Sequence, residues 1–349
     1  AWHDSSLRLE WKRNLSTSVY ERDSAENASM PANYFGAGRV VPSTGGITAL
    51  HSICIGYDLL CAATNDDGSP LWPVEQQSKV ERELLLEWTM ESVPYLGGPG
   101  KAERVDNKAP RIYATMATVA RCLGVPEYAD TALLGYERVR DASFSFDGFS
   151  DESPAYNHMY LSSLLDVPER LHGFRHHDGT VIDLYVTDAK LGLMVRGMID
   201  TLRPDSRHAT LSDTIEVRDF EKLGADPIYE IAMRRYPERY SDTVRAMYQL
   251  RKTTPSAYAV RELDARLFDE PVEPDLKLPE QFYPAWMTAI LRHGKGPEAS
   301  MLALSANPPG GHRHEDNLGL YYVDRGDTIL GDLGYLSAAP IQSWIAGTL

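Results

Sequence analysis

Apolar residues recur at the spacing of a helix from about residue 46 to about residue 265. In residues 47–64, for example, Leu50, Cys54 and Tyr57 fall on one stripe. Similar stripes predict further helices over residues 74–93, 107–123, 128–139, 153–165, 184–202, 228–236 and 241–250. Successive helices of similar length favour helical hairpins wound into a toroid or a solenoid, and the pattern does not separate these two architectures.

The pattern changes near residue 270, after a linker-like run with two prolines at 270–274. Beyond it, strand signals separated by turn residues predict strands over 282–291, 300–304, 318–323 and 328–330. Helices followed by strands indicate an α domain followed by a β domain, that is, an α+β multidomain protein. We therefore predict four segments: a polar segment (1–45), a helical domain (46–268), a linker (269–280) and the start of an antiparallel sheet domain (281–349).

The predicted strands are few for a sheet domain. An antiparallel sandwich normally needs more strands to bury both of its faces. We therefore expect the chain to be part of a longer polypeptide or to require a separate C-terminal piece that completes the sandwich.

Composition excludes several classes of protein. The chain has 349 residues, of which 43% are hydrophobic and 24% charged, as in an ordinary globular protein. Its net charge of −15 argues against a general nucleic-acid binder. It contains no apolar run long enough for a membrane span. Of the three cysteines, Cys54, Cys61 and Cys122, the first two are seven residues apart on an apolar helix and are interpreted as buried small hydrophobes. The odd number indicates neither a disulfide framework nor a cysteine zinc site.

A His-x-His sequence follows a Pro-Pro-Gly-Gly turn at 308–311. On an extended backbone, His312 and His314 would point to the same face. If the strands on either side of the turn at 325–327 pair as a hairpin, Asp332 falls back beside His314. Two histidines and a carboxylate suit zinc. Alternatively, one histidine does acid–base chemistry while the other binds metal, or both are ordinary polar loop residues.

Two more groups of polar residues are candidates. Tyr156 and Tyr160 share a helical face near His158, and a tyrosine hydroxyl can carry a proton if a nearby cation lowers its pKa. The alternative is that these tyrosines belong to a half-buried core. Asn107 could face a substrate carboxylate, with Lys108 and Arg111 adding charge, or it could cap the following helix.

These motifs resemble those of the heparinase II/III-type polysaccharide lyases, which include oligo-alginate lyases. The segment 311–318, together with Gly331-Asp332-Leu333-Gly334-Tyr335, is similar to their Gly-His-Gly-His-Ala-Asp and Asp-Pro-Gly-Thr-Tyr motifs. The segment Glu152-Ser153-Pro154-Ala155-Tyr156 resembles their Glu-Gly-Ser-Pro-x-Tyr helix. The resemblance implies an incomplete (α/α) toroid followed by an antiparallel β-sandwich, of which only part lies in this chain.

The resemblance also implies roles for individual residues. Tyr156 would be the catalytic acid or base, His312 a second proton-transfer or charge-neutralising residue, and Asn107 the group that holds the uronate carboxylate. We expect the substrate-binding residues to be Lys108, Arg111, His158, Tyr160 and Arg313. One structural zinc ion would be bound by His314 and Asp332, with a third ligand expected beyond residue 349. Two departures from the family pattern are Arg313, which replaces a small residue, and Lys108, where alginate-type members often have histidine.

The implied reaction is β-elimination in a polysaccharide or oligosaccharide that contains a 4-linked uronic acid. It leaves a 4,5-unsaturated uronyl end. A glycoside hydrolase that uses Asp151 and Glu152 is one alternative, and a non-catalytic carbohydrate-binding protein is another. The expected partner is an anionic uronate polymer such as alginate, in a secreted or periplasmic rather than cytoplasmic location. Neither nucleic acid nor membrane is expected as a partner, and self-association into a homo-oligomer stays open.

Overall fold

The computed structural model describes residues 44–86, 89, 104–150, 152–176, 178–214, 226–306 and 318–332. Helices occupy most of the described residues before residue 265. They are α1 (Thr44–Leu60), α2 (Val74–Val80), α3 (Ala109–Leu123), α4 (Pro126–Ser143), α5 (Pro154–Leu164), α6 (Asp166–Leu171), α7 (Leu184–Thr187), α8 (Ala189–Asp200), α9 (Pro227–Arg235), α10 (Pro237–Arg251) and α11 (Ala257–Glu262). A π-helical segment, Glu81–Leu86, continues α2, and a short 3₁₀ helix follows at Ala265–Phe268. No helix in these ranges has both the length and the apolar character needed to cross a bilayer.

Local sequence explains where several helices begin. Asp188 accepts hydrogen bonds from the amides of Lys190 and Leu191 at the start of α8. Asp226 does the same for the amide of Ile228 at the start of α9. An aspartate before the first turn satisfies amides that have no partner within the helix.

The strands form one antiparallel sheet in the order β1-β2-β3-β4-β5. Their bounds are β1 Gln281–Tyr283, β2 Thr288–His293, β3 Ser300–Ser305, β4 Gly319–Asp324 and β5 Asp327–Leu330. The prediction of a single strand over 282–291 is therefore wrong. The chain turns after Tyr283, and the Asp147 carboxylate holds that turn by accepting from the amides of Ala285 and Trp286 at 2.8 and 3.2 Å. Pro284 interrupts the strand signal at this point, and the contact with Asp147, which is distant in sequence, holds the resulting turn.

One face of the sheet packs on Phe149, Ala209 and Leu211, which lie in segments between helices. The buried side chains on this face and their partners are Phe149, Ala209, Leu211, Tyr283, Trp286, Ile290, Met301, Ala303, Tyr321 and Val323. Phe149 stacks on Trp286 with 3.7 Å between ring centroids. Burying apolar area on this scale supplies the main favourable term for the association of sheet and helices.

The opposite face of the sheet is also apolar but exposed. Phe282, Leu304 and Leu320 are 66%, 41% and 45% exposed. Phe282 pairs with Ala289, Ala289 with Leu304, and Leu304 with Leu320, so these four residues form one row across β1 to β4. An apolar row of this kind is typical of a sheet that packs against a second layer.

Four hairpins with a common construction connect helices in the described ranges. Their closing pairs are Thr64–Pro70, Phe144–Ser150, Arg175–Val181 and Leu202–His208. The fourth residue of each hairpin is an aspartate, namely Asp67, Asp147, Asp178 or Asp205. Its carboxylate accepts a hydrogen bond from the backbone amide two residues later. The fifth residue has a positive φ, as in Gly148 (85°), Gly179 (87°) and Ser206 (70°). This construction fits a type I turn followed by a left-handed residue.

The hairpin 202–208 is fastened to the sheet by a buried guanidinium. Arg203, only 1% exposed, donates to both carboxylate oxygens of Asp205 at 3.0 and 2.7 Å. It also donates to the Tyr321 hydroxyl, the Thr328 hydroxyl and the Gly326 carbonyl at 3.0, 3.0 and 2.9 Å. A guanidinium has five N–H donors, so every one of them has an acceptor here. The β4–β5 hairpin is therefore held to the helical part at a defined position.

Contacts between Cα atoms divide the chain into two compact units. One comprises Ala1–Ala142 and Ser163–Asp183, and the other Ser143–Ser162 and Leu184–Leu349. The change from helices to strands falls between Phe268 and Gln281, where the sequence pattern places it. The linker 269–280 lies inside the second unit, which includes the last helices as well as the sheet.

Loss of the Arg203 guanidinium should destabilise the protein strongly. We expect Arg203→Met to lower the free energy of unfolding by about 3–5 kcal/mol, since it removes the closer charge partner of Asp205 and leaves the Tyr321 and Thr328 hydroxyls and the Gly326 carbonyl without their donor. The matched control is Arg207→Met, because Arg207 is 40% exposed and pairs with the same carboxylate at 3.6 Å. Its cost should be below about 1 kcal/mol. Urea unfolding curves measure both, and equal losses would contradict the assignment.

The hairpin glycines differ in the space around them. A Cβ on Gly148 would lie 2.3 Å from the backbone carbon of Leu193, whereas one on Gly179 would meet nothing within 4 Å. Both glycines have a positive φ, so each substitution by alanine carries a strain of about 1 kcal/mol. We expect Gly148→Ala to lower the melting temperature clearly more than Gly179→Ala, because only Gly148→Ala adds a backbone clash. Similar shifts in thermal unfolding would count against the described packing.

Candidate functional site

The first group of candidate residues is centred on α5. The helix begins at Pro154, and the Tyr156 amide donates to the Ser153 hydroxyl at 3.4 Å. Its first turn is tied to the hairpin 144–150, because the side-chain oxygen Oδ1 of Asn157 accepts from the Ser150 amide at 3.0 Å. Tyr156 is half-buried in this turn. These contacts fix the backbone that carries Tyr156 while part of its side chain stays accessible.

Tyr160 occupies a different environment one turn later. It is 5% exposed and meets Phe144 edge to face, with ring centroids 5.9 Å apart. An aromatic ring in this position contributes mainly to packing. The expected contact of Tyr160 with substrate stays a prediction.

A buried polar cluster beside α5 contains His158, His208, Asp226 and Tyr229. His158 Nε2 is 2.6 Å from Asp226 Oδ2, and the two side chains are 13% and 17% exposed. The His158 ring meets the His208 ring at 5.7 Å, and His208 Nε2 is 3.3 Å from the Tyr229 hydroxyl. The Arg251 guanidinium lies 5.7 Å from the Tyr229 ring centroid and bonds to Ser206. His158 thus has a carboxylate partner, and its expected role in substrate binding stays a prediction.

The cluster sets the protonation of its members. Burial, the charge of His158 and the charge of Arg251 lower the pKa of His208 well below its ordinary value, so this ring stays neutral. Burial by itself would raise the pKa of Asp226, but the hydrogen bond and charge of His158, with the amide of Ile228 and the charge of Arg251, lower it. Burial raises the pKa of the Tyr229 hydroxyl, which therefore acts as a neutral hydrogen-bonding group. The cluster thus combines an ionised carboxylate with a neutral imidazole.

The second group of candidates lies before α3, in the first compact unit. Asp106, not Asn107, caps this helix by accepting from the amides of Lys108 and Ala109 at 3.0 and 3.2 Å. The interpretation of Asn107 as the helix cap is therefore wrong. Arg104 pairs with Asp106 at 2.7 Å. Asn107 and Arg111 are half-buried and Lys108 is exposed, which leaves an amide and two cations at the entry to the helix.

The third group is the connection between β3 and β4. His312, Arg313 and His314 belong to it and lie outside the described residues. Its two ends are adjacent, because Ser305 pairs with Gly319. The predicted hairpin after this connection is confirmed, since β4 and β5 pair with a bulge between Tyr322 and Val323.

Asp332, the predicted zinc ligand within the described ranges, has an identified partner. Its carboxylate accepts from the Ser212 amide at 2.7 Å. The described ranges contain no group of three or more His, Cys, Asp or Glu side chains arranged to hold a metal ion. The residues described here therefore do not make up a zinc site, and zinc binding by His314 and Asp332 stays a prediction.

The comparisons with known proteins rest on structure. Neither a protein-family model nor a curated protein sequence matches the chain significantly. The crystal structure of heparan sulfate lyase HepC from Pedobacter heparinus matches with a TM-score of 0.58 at 14% identity, over 96% of this chain and 47% of that protein. A mutant of the same lyase matches with a TM-score of 0.60 at 14% identity, over 98% of this chain and 48% of that protein. A crystal structure of heparinase III matches with a TM-score of 0.54 at 12% identity, over 93% and 47%.

The chain has the fold of the heparinase-type polysaccharide lyases. The predicted fold class, an incomplete (α/α) toroid followed by an antiparallel sheet, is confirmed. The choice between toroid and solenoid, which the sequence pattern leaves open, is thereby decided. The chain spans about half the length of the heparinase-type structures it matches, 47% of HepC for example.

Sequence reasoning missed the cluster beside α5, although part of it had a local signal. Asp226 followed by Pro227 is the usual start of a helix, with a capping side chain and proline in the first turn. That signal identifies Asp226 as a cap but not as the partner of His158. His208 closes the hairpin 202–208, and nothing in its neighbourhood in the sequence points to α5.

The neutral His208 should make stability depend on pH. Because its folded pKa is depressed, its contribution is present in full above its unfolded pKa of about 6.5 and is lost as the pH falls below that value. We expect the free energy of unfolding to fall between pH 7 and 5 by up to about 1.4 kcal/mol per pH unit from this group. His208→Gln should be less stable at pH 7.5 but should lose less on acidification. Urea titrations at pH 7.5, 6.5 and 5.5 measure this.

His293, exposed at the end of β2, provides the control. His293→Gln should keep the pH dependence of the unmodified protein. A pH dependence that is unchanged in His208→Gln would contradict a neutral, buried His208.

Proposed function

We propose that this chain forms part of a polysaccharide lyase that cleaves a 4-linked uronic acid by β-elimination. The observation that carries the proposal is the placement of Tyr156 in a heparinase-type fold. Its helix is anchored at the first turn, and two residues later His158 is fixed by Asp226. A half-buried tyrosine on a fixed backbone suits proton transfer, which requires the hydroxyl to stay within hydrogen-bond reach of the substrate.

The reaction begins with neutralisation of the uronate carboxylate. The C5 proton is only weakly acidic, and stabilising the enediolate that develops at the carboxylate lowers the barrier to its removal. We assign this role to Asn107, assisted by the charges of Lys108 and Arg111 and by His312. The acidic net charge of −15 does not oppose this role, because a local group of cations can attract an anionic sugar.

The proton transfers follow from the same assignment. Tyr156, as phenolate or through His312, removes the C5 proton. A tyrosine hydroxyl then protonates the oxygen of the leaving sugar at C4. The bond between C4 and that oxygen breaks, and a double bond forms between C4 and C5. The product is an unsaturated uronyl end, which absorbs in the ultraviolet.

Zinc and location are further parts of the proposal. His314 and Asp332 would hold one structural zinc ion together with a third ligand. Bound zinc would stabilise the connection that carries His312, in the way that metal ligands order the residues around them.

A secreted or periplasmic location would place the protein where it meets extracellular polysaccharide.

The decisive experiment is an assay of Tyr156→Phe in the full-length protein. Alginate, heparan sulfate, hyaluronan, ulvan and glucuronan serve as substrates, and the ultraviolet absorbance of the unsaturated product is recorded. We expect activity on one or more of these polymers, and a loss of about 10²- to 10⁴-fold in the variant because it lacks the transferable proton.

Two controls separate the lyase from the alternatives. Tyr240→Phe changes a buried tyrosine of α10, to which no role in the site is assigned, and should keep most of the activity. Glu152→Gln should also retain it, whereas a glycoside hydrolase that uses this carboxylate would lose it and would form no unsaturated product. Binding of these polymers without any rise in absorbance would instead identify a non-catalytic carbohydrate-binding protein.

A further inference from the structure

All three cysteines of the chain lie in one part of the first compact unit. Cys54 is fully buried in α1, within a core formed by Leu50, Tyr57, Leu85 and Val119. Cys61 and Cys122 pack against the same core. Residues far apart in the sequence are thus brought together by the packing of α1 on α3. Cysteines that serve only as small hydrophobes have no need to be neighbours.

The contacts of Cys122 distinguish its two neighbours. Its thiol interacts through hydrogen bonds with the Cys54 thiol and with the Asp58 carboxylate, and it has only a longer-range electrostatic interaction with Cys61. The Cys61 thiol donates instead to the Asp58 carbonyl at 3.3 Å. Cys54 and Cys61 cannot pair with each other, because seven residues of helix separate them by about 10 Å, which exceeds the span of a disulfide.

We propose that Cys54 and Cys122 form a disulfide that joins α1 to α3 when the chain folds in the presence of a disulfide oxidant, and that Cys61 stays a thiol. The oxidant belongs to the class of small-molecule or protein disulfides, for which glutathione disulfide is the simplest example. The bond would close a long loop that includes α2, and such loops gain the most from cross-linking. It would hold α1 against α3 in the first unit.

The chemistry balances by thiol–disulfide exchange. One cysteine thiolate attacks glutathione disulfide, forming a mixed disulfide and releasing one glutathione. The second cysteine thiolate attacks the protein sulfur of that mixed disulfide and releases the second glutathione. The two protein thiols lose two protons and two electrons, and glutathione disulfide is reduced to two thiols.

The burial of Cys54 and Cys122 determines the stage of folding at which thiol–disulfide exchange can take place. The hydrogen bond to Cys54 and burial raise the pKa of the Cys122 thiol, so little thiolate exists in the folded protein. Exchange is therefore expected during folding, before the core of α1 and α3 closes. For this reason the test uses refolding rather than oxidation of the folded protein.

The full chain is unfolded in urea with a reductant and refolded in a buffer of reduced and oxidised glutathione. Free thiols are then alkylated in denaturant and counted by mass spectrometry, and peptide mapping identifies the linked residues. We expect one free thiol per chain, at Cys61, and a peptide that joins Cys54 to Cys122. Three free thiols, a disulfide that includes Cys61, or a disulfide-linked dimer would overturn the proposal.

Thermal unfolding supplies a second readout with a matched control. The oxidised protein should melt roughly 5 °C or more above the reduced protein, as expected for a disulfide that closes a long loop. Cys61→Ala should keep this difference, whereas Cys54→Ala and Cys122→Ala should abolish it. An equal difference in all three variants would overturn the assignment. The thiol count of the unsubstituted chain decides the matter even if a core variant fails to fold.

Discussion

The position of the sheet depends on the buried guanidinium of Arg203. Its five N–H groups are all accepted by Asp205, Tyr321, Thr328 and Gly326. Because a buried cation without its partners costs several kcal/mol, the helical part and the β4–β5 hairpin can shift little against each other. The connection that carries His312 leads directly into β4, so its end at Gly319 is held in place by the same constraint.

Other polar contacts fix the sheet at further points, while apolar burial supplies most of the energy. Asp147 accepts two amides of the β1–β2 turn. Asp200, 2% exposed, bonds Arg239 at 2.5 Å, and Arg292 of β2 donates to the Asp200 carbonyl at 2.9 Å. Burial raises the pKa of Asp200, and the neighbouring arginines oppose that rise. Apolar contact is not directional, so these bonds determine which of many packed arrangements is adopted.

The same division of roles describes the surroundings of Tyr156. Beside α5, the ionised Asp226 and the neutral His208 hold His158 from two sides. This arrangement leaves the histidine little freedom to turn and fixes the backbone two residues after Tyr156. An active site gains from such support, because small displacements of a proton-transfer group reduce rates sharply. The proposed lyase chemistry would therefore depend on residues of α9 and of the hairpin 202–208, well outside the Tyr156 motif.

Local patterns predicted most of the helices, the hairpin after residue 318 and the start of α5 at Ser153-Pro154, because apolar periodicity and helix starts depend on neighbouring residues. The prediction of one helix over 184–202 is wrong, since Asp188 separates α7 from α8, and α6 and α11 were not predicted. The resemblance of its short motifs also pointed to the fold. The folded structure was needed to identify Asp147 as the residue that holds the turn within 282–291, Asp106 rather than Asn107 as the cap of α3, and Cys54 as the neighbour of Cys122. Three of the four aspartate hairpins were readable in principle from an Asp-Gly pair, whereas the fourth has Asp205-Ser206. The attachment of the hairpins 144–150 and 202–208 to the sheet was not readable from the sequence. Each of these outcomes rests on geometry or on a contact between residues distant in the chain, which no local pattern encodes.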